Sequence, residues 1–187
     1  MKLIEAEKAN GCFGNEYFNF REISKVVKRK YGDNIIIKEL SRAGYFAELL
    51  NGLGGKRILD LGCGSLNSLD DSYRKDGDKR KYEPWLPRIL HELGAKVVGV
   101  DFATNEKEEF EHYQIDLRSS NSLSHFKEKE FDLACAFALF DSTLCINGAR
   151  LFNNLLPQLE RIVKPEGFFV VDVVGTGLQV EMFRSKT

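Results

Sequence analysis

Ile58-Leu59-Asp60-Leu61-Gly62-Cys63-Gly64-Ser65-Leu66-Asn67 reads as a buried strand running straight into a glycine-rich turn. An acid sits near the end of the strand, and two glycines let the backbone pass close to a bound molecule. A side chain at Gly62 or Gly64 would fill the space that a nucleoside needs.

Outward from this turn, the pattern alternates. Strands are expected at 57–61, 96–100, 111–115, 131–138 and 167–174. Helices are expected between them at 84–93, 121–127 and 149–163. Strands separated by helices predict a parallel sheet covered on both faces. The apolar runs Phe131-Asp132-Leu133-Ala134-Cys135-Ala136-Phe137 and Phe168-Phe169-Val170-Val171 agree, because central parallel strands are buried twice. Upstream, Ile23, Val26 and Val27 among charges predict an amphipathic helix at 20–30. A second helix is expected at 37–50, stopped by Asn51-Gly52-Leu53-Gly54-Gly55. The expected fold is α/β, a Rossmann-like, doubly wound, mostly parallel sheet in a single domain over 1–187. Residues 1–55 form a helical N-terminal cap, residues 56–187 form the core, and the C-terminal end is short.

The 187 residues suit one compact domain, with 43% apolar and 29% charged residues. A net charge of −1 argues against nucleic acid and against an anionic membrane surface. The basic stretches at 25–30 and 74–81 read as solvated faces. Cys12, Cys63, Cys135 and Cys145 make no C-x-x-C pair, which fits reduced thiols and no metal site. The N-terminus becomes charged before an apolar leader can form, and no run approaches the ~20 apolar residues of a membrane span. A cytoplasmic protein is expected. Residues 65–83 are an unusually charged insertion after the glycine turn, readable either as a lid or as a disordered loop.

A glycine turn after a strand has two common meanings. A dinucleotide site uses G-x-G-x-x-G with an acid ~20 residues further on. Here Asn67 stands at the third glycine, and Asp101 lies well beyond that distance. The other meaning is a nucleoside cofactor without pyrophosphate. Over about 56–172 the chain resembles the class I S-adenosylmethionine-dependent methyltransferases. Ile58-Leu59-Asp60-Leu61-Gly62-Cys63-Gly64-Ser65 matches that family's first motif, and Val97-Val98-Gly99-Val100-Asp101 its second. Gln114-Ile115-Asp116-Leu117 matches the third and Phe131–Phe137 the fourth. The stretch 155–170 resembles the fifth helix, turn and strand.

The resemblance implies S-adenosyl-L-methionine as cofactor and methyl transfer as the reaction. It implies a binding set of Asp60, Gly62, Cys63, Gly64, Asp101, Phe102, Asp116, Leu117, Ala136 and Phe137. Within that set Asp60 would face the cofactor's ammonium group. Asp101 would accept from the ribose hydroxyls, and Asp116 from the adenine amino group. Cys63 reads as a small packing residue of the turn. After the fourth strand, Asp141 is the candidate catalytic residue, as proton acceptor or as helix cap. Ser142 and Thr143 share that ambiguity. The Asn/Asp-Pro-Pro-aromatic signature of amino-group methylases of DNA or protein is absent, and a small polar metabolite is the expected acceptor. His91, His112 and His125 fall away from the ligand edge. Arg42 and Tyr45 could reach over the cofactor but read first as packing or solvated residues. Trp85 is expected to anchor its helix or line the acceptor pocket. Only 175–187 follow the fifth strand, enough for one further strand at 178–183. Either the fold is minimal, or a partner chain, for instance a second copy in a homodimer, covers the exposed sheet edge. Two rival readings are a non-catalytic, cofactor-binding regulatory subunit and a nicotinamide oxidoreductase.

Overall fold

The computed structural model describes residues 2–4, 20–32, 37–65, 83–140, 148–173 and 179–184. The elements in chain order are β1 (Lys2–Ile4), α1 (Phe20–Tyr31), α2 (Ile37–Leu49), β2 (Arg57–Leu61), α3 (Trp85–Glu92), β3 (Lys96–Asp101), β4 (Glu111–Gln114), β5 (Phe131–Ala136), α4 (Gly148–Ile162), β6 (Val163–Val173) and β7 (Gln179–Arg184). They build one seven-stranded sheet in the order β1-β7-β6-β5-β2-β3-β4. The five strands β4, β3, β2, β5 and β6 are parallel, and β7 runs antiparallel to both β6 and β1. The chain winds from β2 outward to β4, then returns to β5 on the other side. That reversal makes the carboxyl ends of β2 and β5 a switch point, where open α/β sheets bind ligands. The fold is Rossmann-like.

Strand alternation explains the continuous apolar runs. Ile58, Val97, Leu133, Cys135 and Val170 join the core beneath α1, α2 and α3. Leu59, Leu61, Val98, Val100, Ala134, Ala136, Phe169 and Val171 join the opposite core, which α4 covers. Side chains such as Leu59 and Phe169 are fully buried, each contributing about 1.5–3 kcal/mol relative to exposure. Asp60 lies between Leu59 and Leu61 and so turns toward the α2 side.

The helices form for local reasons. In α1, Ile23 and Val27 are buried one turn apart, whereas Val26, expected on the same face, is 37% exposed. In α2 and just past its end, Leu40, Ala43, Phe46, Ala47 and Leu50 follow the i, i+3, i+4 spacing and are all buried. That helix ends with Asn51 at φ +53°. Gly52 N–H donates to the Ala47 carbonyl at 2.7 Å, closing a Schellman cap. Pro84 caps α3, and Pro87 falls in its first turn, where no partner for its nitrogen is needed. Trp85 packs edge-on to Tyr31 at 5.7 Å, with the Arg88 guanidinium 4.9 Å over its ring, so it anchors α3 to α1.

Three expectations need correction. The region before residue 55 is not wholly helical, since Lys2–Ile4 is a strand. This strand pairs with β7, so the chain's own N-terminus supplies the outer strand of that edge. Residues 121–127 form successive turns and no helix. There Gln158 accepts from Leu123 N–H at 2.9 Å, and Arg161 donates to the Phe126 and Leu123 carbonyls at 2.7 and 2.8 Å. Side chains of α4 thus take the backbone groups that a helix would have used. Finally, β6 begins at Val163, four residues earlier than expected, with a register shift opposite Phe131 and Leu133. No described helix is long and apolar enough to cross a membrane.

Candidate functional site at the strand ends

The glycine turn leaves β2 and folds over the end of β3. Gly62 and Cys63 N–H both donate to the Val100 carbonyl, at 2.8 and 3.1 Å. Gly62 and Gly64 have φ of +71° and +86°, a region that L side chains adopt only at a cost. A Cβ on Gly62 would also stand 3.0 Å from Leu139 Cδ1. The variant Gly62→Ala is therefore expected to lose about 1–2 kcal/mol of stability. Urea unfolding should show a lower midpoint with an unchanged slope.

Asp101 closes β3 and is buried. Its Oδ2 accepts from Gly64 N–H and its Oδ1 from Ala103 N–H, each at 3.0 Å. Two backbone donors fix the carboxylate plane, and each oxygen keeps a second lone pair for a ligand hydroxyl. Burial pushes this carboxyl above the ordinary range, countered by the two N–H donors and by His112. His112, on β4, is near enough to Asp101 to couple with it, but burial lowers its own pKa and favours the neutral imidazole.

Asp60 is 4% exposed and accepts from Cys135 Sγ at 3.4 Å. Burial pushes its carboxyl up to about 7; the Cys135 contact and Arg42 pull it down, while Glu39 and Asp101 push it up. The Glu39–Arg42 pair comes from α2, with Arg42 Nη1 donating to Glu39 Oε1 at 2.7 Å. The Arg42 guanidinium lies 3.7 Å over the Phe137 ring, which in turn stacks on Phe46 at 6.0 Å. Helix α2 thus tunes a strand-end carboxylate across the layer. Tyr45 is half-buried against the same core.

The other expected residues fall in distinct settings. Asp116 follows β4 at the same sheet edge, where Ile115 N–H donates to the Asp101 carbonyl at 2.8 Å. Its carboxylate is exposed and held in a fork by Arg118, with Nε and Nη2 each at 2.8 Å, which keeps it below the usual carboxylate range. A ligand amino group there would share Asp116 with Arg118. Leu117 and Ala136 turn their side chains into the α4-side core, and Phe137 turns its own into the α2 side. These three can meet a ligand only through backbone or ring edge. Phe102, directly after Asp101, is 42% exposed, an apolar surface beside that carboxylate. Cys63 is buried with its thiol pushed well above the ordinary range, so it is an inert packing group. Asp141, Ser142, Thr143 and residues 66–82 lie outside the described residues. His91 and His125 lie away from the strand ends, beside Glu109 and on the Phe126 ring.

Asn105 carried no signal in the sequence, yet it is buried against the turn. Its Nδ2 donates to the Gly64 carbonyl at 2.8 Å and lies 3.6 Å from Cys63 Sγ. A +4 spacing from an acid in a charged loop looks like any solvated asparagine.

The residues fit an adenosyl cofactor. Positive-φ glycines open the turn, an oriented carboxylate stands beside them, and a second carboxylate, Asp60, is buried just before the turn on β2. No family model matches the sequence, and no curated protein matches it. Among solved structures, the chain is similar to the MycE methyltransferase of the mycinamycin biosynthetic pathway in complex with Mg, SAH and mycinamycin VI, at 18% identity and a TM-score of 0.46. That match covers 84% of this chain and 39% of that one. The CurJ carbon methyltransferase is similar at 16% identity and a TM-score of 0.43, over 82% of this chain and 39% of that one. The YcgJ protein of Bacillus subtilis is similar at 16% identity and a TM-score of 0.41, over 69% and 48%. The chain spans less than half the length of each of these three proteins.

Proposed function

We propose that the protein is an S-adenosylmethionine-dependent methyltransferase acting on a small-molecule acceptor. The observation that carries this reading is the meeting of Asp60, the Gly62–Gly64 turn and the backbone-oriented Asp101 at the switch point of the sheet. A dinucleotide would need a third glycine where Asn67 stands. The cofactor, when bound, supplies an electrophilic methyl group on a sulfonium. The protein's part is to bind, orient and shield. Asp101 takes the ribose hydroxyls with a carboxylate already held in place, so little ordering is left to binding. Asp60 offers a carboxylate to the cofactor's ammonium group in a dry setting where that attraction counts. Gly62 and Gly64 let backbone approach the methionine portion. Asp116 serves the adenine amino group alongside Arg118, and Phe102 covers the ring. Asp141 is the candidate for the acceptor's proton. The chain works as one unit, with α1 and α2 capping a core whose sheet includes β1, in the cytoplasm, alone or as a homodimer.

Calorimetry with S-adenosylhomocysteine and with NAD tests the reading. Binding of the first and not the second is expected, and tight NAD binding alone would sink it. A panel of small polar acceptors should then release S-adenosylhomocysteine. Cofactor binding with no turnover on any acceptor would instead favour the regulatory subunit.

A further inference from the structure

We infer that Asn105 is a positioning residue that holds the glycine turn in its ligand-accepting shape. This rests on the reading of the turn as an adenosyl-cofactor site, and it concerns a residue outside the set that the sequence motifs mark. Gly64 is gripped from both sides. Asp101 Oδ2 takes its N–H at 3.0 Å, and Asn105 Nδ2 gives to its carbonyl at 2.8 Å. Ser65 Oγ adds a bond to the Thr104 carbonyl at 2.6 Å. The loop after β3 therefore laces the turn residue by residue, and Asp101 and Asn105 hold the two successive peptide units that meet at the Gly64 Cα.

That lacing has a mechanical reason. Gly64, at φ +86°, lacks a side chain that could pack and restrain it. The other donor to this carbonyl among the described residues is the weak Cys63 Sγ at 3.4 Å, so without the amide the Gly64–Ser65 peptide is freer to turn about the Gly64 Cα and loosens the adjoining peptide whose N–H meets Asp101. The carboxylate that would meet the ribose would then lose a donor that fixes its plane. Asn105 is 4% exposed, so water cannot replace its amide. The loop is itself pinned. Arg88 Nε and Nη2 form a fork with Glu108 at 2.8 and 2.6 Å, and Glu108 N–H donates to the Asn105 carbonyl at 3.0 Å. Asn105 thus stands on a braced loop and acts through Gly64 on Asp101, without touching the cofactor.

Asparagine is also the side chain whose chemistry can be switched without changing its shape. An aspartate at 105 keeps the volume but faces the Gly64 carbonyl with an acceptor when ionised. When protonated it can donate again. The titratable groups around the turn are Cys63 itself, Asp60 and Asp101 at the strand ends, Glu108 on the loop, and His112 on β4. They are common to wild type and variant, so the ratio of their dissociation constants reports the introduced carboxyl together with its coupling to these groups. Burial and the neighbouring acids raise its pKa above that of a free aspartate.

The test measures S-adenosylhomocysteine binding by wild type, Asn105→Ala and Asn105→Asp, by calorimetry between about pH 6 and pH 8, at a temperature where circular dichroism shows all three folded. Asn105→Ala should weaken binding about 10-fold at every pH, the scale of one lost buried hydrogen bond and its orphaned partner. Asn105→Asp should weaken it about 30-fold at pH 8 and recover to about the alanine value or better at pH 6. A merely structural role would lower the melting temperature of both variants and leave a ratio that does not change with pH. Variant affinities equal to wild type, or a pH-independent ratio for Asn105→Asp, overturn the inference while leaving the site reading intact. A wild-type protein that binds no S-adenosylhomocysteine overturns the site reading, and this inference with it.

Discussion

Asp101→Ala is expected to weaken S-adenosylhomocysteine binding by about 100- to 1,000-fold. A hydrogen bond to a charged group contributes roughly 1.5–3 kcal/mol, and two ribose hydroxyls would meet this carboxylate. About 3–4 kcal/mol corresponds to two to three decades in affinity. The loss is compounded because Gly64 and Ala103 N–H lose their shared acceptor, so the turn itself loosens. Asp101→Asn is expected to fare almost as badly. Whichever way the amide turns, its NH2 confronts one of those two N–H donors. Isothermal calorimetry reads both variants directly, and an unchanged dissociation constant would remove Asp101 from the site.

Asp60→Asn is expected to stabilise the ligand-free protein above about pH 7 and to weaken ligand binding in the same sample. The folded-state carboxyl is raised from 3.8 to about 7, mainly by burial. The folded protein therefore holds this proton more tightly than the unfolded chain does. Its contribution to stability is fully present below pH 3.8, falls as pH rises, and is gone above about 7. At about 1.4 kcal/mol per pH unit, that window amounts to roughly 4 kcal/mol. An amide removes the slope, and unfolding curves for wild type and variant should diverge as pH rises from about 4 to 8. Binding runs the other way. A cofactor ammonium group favours the ionised carboxylate, so wild-type affinity should climb with pH up to about 7 and then level off. Asp60→Asn should lose about 10-fold or more and show no such climb. The same profile for wild type and variant would exclude Asp60 from both effects. A buried acid that costs stability when ionised is a common mark of a functional site.

Much of the fold was legible in the sequence. The near-continuous burial along 57–61, 96–101 and 131–136, with glycines following the first of these strands, is dictated by residue type. So are the amphipathic helices at 37–49 and 148–162, because spacing alone sets which face is apolar. The turn residues and the strand-end acids Asp60 and Asp101 were readable for the same reason. The turns at 121–127 were not. Their backbone partners, Gln158 and Arg161, are about 35 residues away on α4. The N-terminal strand was equally hidden, since three residues carry no periodicity and gain their partner only from β7.

For the site, the sequence alone determined the kinds of groups available and their order along the strands, because short-range pattern places acids and glycines at strand ends. Only the tertiary structure decided how those groups are held. Gly64 is clamped between Asp101 and Asn105, Asp60 is kept dry beside Cys135 and tuned by Arg42 and Glu39, and Asp116 is closed on Arg118. The physical reason is reach. Hydrogen-bond geometry and desolvation depend on neighbours that the fold brings together from β2, β3, β5 and α2, and no local stretch of sequence encodes their distance.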